Sequence, residues 1–264
     1  MAFQPFTLPN GSTIKNRIVK AAMEENMADV RNGNQASESL LQLYRTWGAG
    51  GAGVILSGHV MIDPRALACP GDVLLADDAP TCDEQLWKSW AASAQSHGAQ
   101  FWLQLNHPGR QVKAGSGLPV YAPSPIPVDI GKFSNAFVKP VEMDEQQIHR
   151  VIERFAWAAR KAEQLGFAGV EIHAAHGYLI SSFLSPRSNG RTDRWGGSRE
   201  NRARLLLEVV QAVKDSTSPR FGVAVKINTS DFQRGGFGPE DLEWVVRQLN
   251  EMKLDFLELS GGRV

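Results

Sequence analysis

Residues 144–173 read D-E-Q-Q-I-H-R-V-I-E-R-F-A-W-A-A-R-K-A-E-Q-L-G-F-A-G-V-E-I-H, and this stretch holds one complete helix-to-strand unit. Asp144 is placed to cap a helix, with Gln147 three residues on as in a capping box. Ile148, Val151, Ile152, Phe155, Ala159, Ala162 and Leu165 share one helical face, and Gly166 ends it. Residues 170–173 then read as a strand that finishes on a histidine.

The pattern repeats outward from this unit. Upstream, residues 17–23 form a short apolar run, and 39–47 have helical spacing that ends in glycines. Residues 54–57 read as a buried strand, 83–97 as a helix stopped by Gly98, and 101–105 as a strand. A loop rich in Pro and Gly covers 106–143. Downstream come a helix over 198–214, a strand over 223–227, a helix over 239–252 and a strand over 255–259. At the start, residues 6–8 and 13–15 flank a Pro9-Asn10-Gly11 turn as a small hairpin.

Strand–helix alternation implies an α/β fold with a parallel sheet and crossover helices. About six strands are expected, whereas a TIM (β/α)8-type barrel needs eight. The pattern therefore leaves an incomplete barrel or a six-stranded open sheet. Positions at the carboxyl ends of strands favour the barrel. They carry Ala22, Met23 and Glu24, then His59, then Gln104 with His107, then His173 with His176, then Lys226. Five successive strands thus end in hydrogen-bonding or titratable groups, and a curling sheet brings them to one mouth.

Composition narrows the function. The chain has 264 residues, with Lys+Arg and Asp+Glu both at 28. This balance gives no electrostatic footprint for nucleic acid or an anionic membrane. No apolar run approaches the roughly 20 residues that span a bilayer, and the N-terminus does not read as a signal peptide. The two cysteines, Cys69 and Cys82, fit a reducing cytoplasm better than a disulfide framework. Gly48-Ala49-Gly50-Gly51-Ala52-Gly53 matches G-x-G-x-x-G. It lies between a helix and a following strand, the reverse of the dinucleotide fingerprint, so it reads as a tight turn. Trp87, Trp90, Trp157 and Trp244 lie in expected helices and read as core.

One long segment adds a family. Residues 171–202, E-I-H-A-A-H-G-Y-L-I-S-S-F-L-S-P-R-S-N-G-R-T-D-R-W-G-G-S-R-E-N-R, closely resemble the hallmark stretch of the old yellow enzyme family. F-W-L-Q-L-N-H-P-G-R at 101–110 resembles the family's third strand, and L-P-N-G-S-T-I-K-N-R-I-V-K-A-A-M at 8–23 its opening. The resemblance implies a TIM barrel that binds FMN and reduces activated C=C bonds with NADH or NADPH.

Carried over by residue, the resemblance implies that His173 and His176 hold the oxygen of the substrate's electron-withdrawing group. It makes Tyr178 the proton donor to carbon. It sets Gln104 at the flavin pyrimidine edge, with Lys226 as a cation near flavin N1 and the C2 carbonyl. Ala22, Met23 and His59 would line the isoalloxazine. Glu24 stands where many members carry Thr or Cys beside flavin N5, and Lys226 stands in place of the usual Arg. The family's phosphate site follows strands seven and eight. The expectation is thus a single FMN-binding barrel domain, 1–264, incomplete at its C-terminus, with only about the first six βα units present.

Other readings stay open on the residues alone. H-x-x-H is more often structural or a metal pair, and His107 or Glu24 would supply a third ligand for a metal-dependent barrel enzyme. Lys226 also reads as a salt-bridge partner of Asp231 or Glu171. His107 and Arg110 read as supports for the long loop. Within the family, a 2,4-dienoyl-CoA reductase-like member is the alternative, and an inactive barrel fragment is a third outcome. A small activated alkene is the expected partner, and a homo-oligomer is open.

Overall fold

In the computed structural model, which describes residues 1–115 and 117–261, six parallel strands lie side by side in chain order. They are β1 (Val19–Lys20), β2 (Val54–Met61), β3 (Gln100–Asn106), β4 (Gly169–Ala174), β5 (Gly222–Asn228) and β6 (Phe256–Ser260). A two-residue strand, Val73–Leu74, pairs with the far end of β2. The residues expected beyond the last strand, 262–264, lie outside the described residues. The helices are α1 (Glu38–Ala49), α2 (Glu84–Gln95), α3 (Glu145–Gln164), α4 (Leu179–Leu184), α5 (Arg199–Ser216) and α6 (Pro239–Glu251).

Helix ends follow the chemistry of their first residues. Asp144 accepts from the Gln147 N–H at 2.8 Å, and the Gln147 side chain returns a bond to the Asp144 N–H at 2.9 Å. This is the reciprocal capping box. Asp83 and Ser198 cap α2 and α5 through their own side chains. Gly50 caps α1, its N–H donating to the Trp47 carbonyl, and the run that follows turns directly into β2. A Cβ on Gly53 would lie 2.1 Å from the Asn16 carbonyl oxygen, so this turn needs glycine for close backbone approach.

Strand side chains alternate between two cores. Phe101, Leu103, Leu105, Val170, Ile172, Val223 and Val225 face the helices, within a layer that includes Trp87, Trp90 and Phe155. Leu8, Ile14, Val54, Leu56, Trp102 and Ala224 form an inner cluster, with Phe256 packed against it. The rings of Trp102 on β3 and Phe256 on β6 are 4.9 Å apart. In a flat sheet these strands would stand roughly 14 Å apart, at about 4.8 Å per neighbour. The sheet therefore curls, and Trp102 fills its floor. The N-terminal hairpin, Phe6–Thr7 against Thr13–Ile14, closes this end, and the Asn10 N–H donates to Asp255 just before β6 at 2.9 Å.

The 106–143 loop is more ordered than its composition suggests. Tyr121–Ala122 pairs in parallel with Val141–Glu142. Arg110 donates to the carbonyls of Ile126 and Pro127, in keeping with a supporting role in the loop. Trp87 and Trp90 are buried in the helix layer, whereas Trp157 and Trp244 are only partly buried at its edge.

Candidate active site

Each strand-end group expected at the mouth is positioned by its strand, and most of them meet. The β2–β3 pairing slips between Leu56 and His59, so that a β-bulge turns His59 inward where strict alternation from Leu56 would point it out. The Ser57 hydroxyl within the bulge accepts the Gln104 N–H at 2.9 Å. The His59 ring then lies 5.4 Å from His173 and 5.0 Å from Tyr178, centroid to centroid. His173 is 5.1 Å from His176 and 5.0 Å from Tyr178. Three imidazoles and one phenol thus share a single pocket mouth.

Hydrogen bonds fix one tautomer. His173 Nδ1 accepts the Ala175 N–H at 3.3 Å, so the neutral ring carries its proton on Nε2 and donates from there. His176 sits in a left-handed turn with φ 60°. Its N–H donates to Asn228 Oδ1 at 3.1 Å, and its Nε2 meets the Ser260 hydroxyl at 2.6 Å. Burial, reinforced by the neighbouring His59, His176 and Lys226, drives the His173 pKa well down. Burial also pushes His59 down to about 4, against the Glu24 carboxylate that pulls it up. His176 is lowered by burial and Lys226. All three rings are therefore neutral near pH 7.

Tyr178 is the N-cap residue of α4, a short helix that the residue pattern did not separate from its loop. Its hydroxyl pKa is raised, first by burial and then by Glu24, Asp72 and Cys69. It stays protonated at neutral pH.

Deeper in the mouth lies a charged layer. The Gln104 amide Nε2 donates to Glu171 Oε1 at 2.7 Å. The Lys226 ammonium pairs with Glu258 Oε1 at 2.7 Å, across the β5–β6 register that sets the two residues opposite each other. The alternative pairing of Lys226 with Asp231 is not met, because Asp231 accepts from the Ser185 hydroxyl at 2.5 Å and the Phe237 N–H at 2.8 Å, while Glu171 lies close enough for the Lys226 charge to act on it. Burial and the adjacent Glu258 carboxylate raise Glu171 well above the usual carboxyl range.

Ala22, Met23 and Glu24 follow β1. Ala22 is half-buried, and Met23 and Glu24 are exposed. They are held by residues that the pattern did not single out. Glu25 accepts the Tyr44 hydroxyl and, at 3.1 Å, the Gly58 N–H. The Lys20 ammonium stands 4.0 Å away and donates to the Leu56 carbonyl at 2.9 Å. Burial lowers Lys20 to about 8. A run of apolar and polar residues does not announce such a buried carboxylate, because its partners come from β2 and α1.

His107 does not join the mouth. It lies on a separate cleft of about 370 Å³ with Asp63, Arg65 and Arg154. Its Nδ1 accepts the Gly109 N–H at 3.1 Å, and burial pushes it down to about 4. The metal arrangement of His173, His176, Glu24 and His107 is therefore not assembled. Among the described residues, the ligand atoms grouped tightly enough for a cation are those of Glu24, Cys69 and Asp72. Cys69 and Cys82 are both free thiols. No described helix is long and apolar enough to cross a membrane.

Comparison with known proteins follows the same lines. A family model described as the NADH:flavin oxidoreductase / NADH oxidase family matches residues 1–260. The chain is 40% identical over 276 residues to the NADH-dependent flavin oxidoreductase iliE of Hypocrea jecorina, covering 98% of this chain and 67% of that protein. Among solved structures, the old yellow enzyme homologue from Zymomonas mobilis superposes with a TM-score of 0.86 at 28% identity, over 98% of this chain and 72% of that one. A 2-naphthoyl-CoA reductase in complex with 2-naphthoyl-CoA superposes with a TM-score of 0.89 at 26% identity, over 98% of this chain and 40% of that one. The chain spans between 35% and 67% of the length of four curated relatives it matches.

Proposed function

Because the chain belongs to the NADH:flavin oxidoreductase / NADH oxidase family, we propose that it serves an FMN-dependent reduction of activated C=C bonds, of the α,β-unsaturated carbonyl type, with NADH or NADPH as reductant. The observation that carries this reading is the neutral His173, whose Nδ1 is occupied by a backbone N–H, set one ring away from a protonated Tyr178. That pair offers a hydrogen-bond donor for an oxygen and a proton for a carbon.

The mouth suits a flavin. Gln104 and Lys226 supply an amide and a cation, and His59 Nδ1 and Glu171 Oε2 are buried polar atoms without a partner. Buried polar groups are rarely left unpaired, and a polar heterocycle edge would meet that need. Gln104, Lys226, His59 and the Ala22–Met23–Glu24 segment are the residues that would hold it. Bound flavin supplies the hydride in such chemistry.

The chain's own residues do the rest. His173 and His176 bind the substrate oxygen and stabilise the negative charge that grows on it. Their neutrality leaves the proton supply to Tyr178, which delivers it to the carbon α to the activating group. Lys226 offsets negative charge near the flavin, tempered by Glu258 at 2.7 Å. The same donor set would polarise a CoA thioester, and the likeness to the 2-naphthoyl-CoA reductase favours a 2,4-dienoyl-CoA reductase-like chemistry as the second reading. The free thiols support a cytoplasmic setting.

The test separates the two half-reactions under anaerobic conditions. Tyr178→Phe should leave reduction by NAD(P)H intact and slow reoxidation by a simple cyclic enone. His173→Ala should slow that reoxidation by about 10²–10³, the usual cost of one oxyanion donor. Equal enone rates in both variants and the parent would overturn the assignment.

A further inference from the structure

We infer that the outer rim of the mouth carries a divalent metal site of the zinc class, formed by Glu24, Cys69 and Asp72. One ligand atom from each of the three lies within 4.8 Å of the other two. Their independent support is unmet bonding. Asp72 is 2% exposed. Its Oδ2 accepts the Cys69 N–H at 2.8 Å, while Oδ1 is buried with no partner.

The donor types select the ion. A thiolate beside two carboxylates suits zinc or cobalt, whereas magnesium and calcium prefer oxygen alone. The Lys113 ammonium donates to Cys69 Sγ at 3.0 Å, but burial and the neighbouring Glu24 and Asp72 carboxylates raise the thiol above its ordinary pKa, so a metal must displace the thiol proton as it binds. Lys113 is exposed, so it swings clear when a metal arrives. Bonds of about 2.0–2.3 Å in a tetrahedron set ligand atoms roughly 3.3–3.8 Å apart. The three ligand atoms, within 4.8 Å of one another, would therefore draw together by about 1 Å on binding. A metal here sits beside Tyr178 and His59, where it would obstruct the mouth and so act as an inhibitor.

The site does not depend on the flavin reading, and its test does not use flavin chemistry. The full chain, stripped with a chelator, is titrated with Co²⁺ and followed by difference absorption, then challenged with Zn²⁺. One Co²⁺ per chain, with a thiolate-to-cobalt charge-transfer band displaced by Zn²⁺, is expected. Cys69→Ser should abolish the band and weaken binding at least about tenfold. Asp72→Asn should weaken binding similarly, and Cys82→Ser should change nothing. Cys69 is partly exposed, so the thermal melt of Cys69→Ser checks that its fold is intact. Absence of saturable one-to-one binding in the parent, or a band that survives Cys69→Ser or is lost in Cys82→Ser, overturns the site.

Discussion

Replacing Gly222 by Ala tests how the barrel floor holds the site above it. A Cβ at Gly222 would lie 2.2 Å from two ring atoms of Trp102, and one at Gly169 would lie 2.5 Å from the same ring. Ordinary contact begins near 3.4–4 Å, so the ring must move by more than 1 Å. It has little room to do so. It is fully buried, it stacks at 4.9 Å on Phe256, and its Nε1–H donates to Gln100 at 3.1 Å. Overpacking of this kind costs about 1–3 kcal/mol, and the geometry places Gly222→Ala at the upper end. For a chain of this size that corresponds to a fall in Tm of roughly 5–10 °C. Urea unfolding of Gly222→Ala, Trp102→Leu and the double variant gives the assay. The smaller Leu should relieve the clash, so the double variant should be more stable than the sum of the two losses by at least about 1 kcal/mol. A Gly222→Ala chain within 0.5 kcal/mol of the parent, or strictly additive losses, would refute a packed floor.

Two further outcomes follow from charge. His107 is held down to about 4 by burial, below its unfolded value near 6.5. The unfolded chain therefore binds more protons between about pH 4 and 6.5, and His107 costs stability as the pH falls through that window. Stability should rise with pH there, by about 3 kcal/mol in all from this one group as an order of magnitude. Other groups, such as Asp72 raised to about 6 by burial, titrate nearby with the opposite sign. The measurement is thus the difference between parent and His107→Gln in urea unfolding at pH 4.5 and 7, where the variant should show the flatter dependence, and parallel curves would contradict it. Glu24 is the second case. With a third of its side chain exposed, its carboxylate is worth about 0.2–1 kcal/mol to a nearby charge. Glu24→Thr should raise the potential of bound flavin by roughly 5–20 mV, taking about 30 mV per 1.4 kcal/mol for two electrons; no rise in a spectroelectrochemical titration counts against it.

Much of the scaffold was legible because local signals agreed. The Asp144–Gln147 box, the α3 stripe and the strand after Gly166 each follow from residues close in sequence, and the glycine run was excluded as a nucleotide loop by its order alone. The curl of the sheet needed the family resemblance or the Trp102–Phe256 contact, since alternation fits an open sheet equally well. What stayed hidden depends on register. His59 reaches the mouth through a bulge that no period-2 reading contains. Lys226 meets Glu258 because β5 and β6 align in one register, and neighbours in sequence such as Asp231 gave the wrong partner. Glu25 is a largely buried acid whose partners lie on β2 and α1, and Asp72 is a buried acid held by the Cys69 N–H three residues back, so composition marks both as ordinary surface charge. His107 directly follows the strand that carries Gln104, and its reading as a loop support rather than a site residue agrees with its bond to the Gly109 N–H and its place beside Asp63 and Arg154.

The most direct test of the central claim is FMN titration of the purified chain, followed by visible absorption and by quenching of flavin fluorescence, with anaerobic NADH or NADPH added at the end. The account predicts saturable one-to-one binding that weakens in Gln104→Ala and Lys226→Ala, and a flavin band that bleaches on addition of the reductant. A chain that leaves FMN free in solution, or binds it equally well without Gln104 and Lys226, would contradict the placement of the flavin at these strand ends.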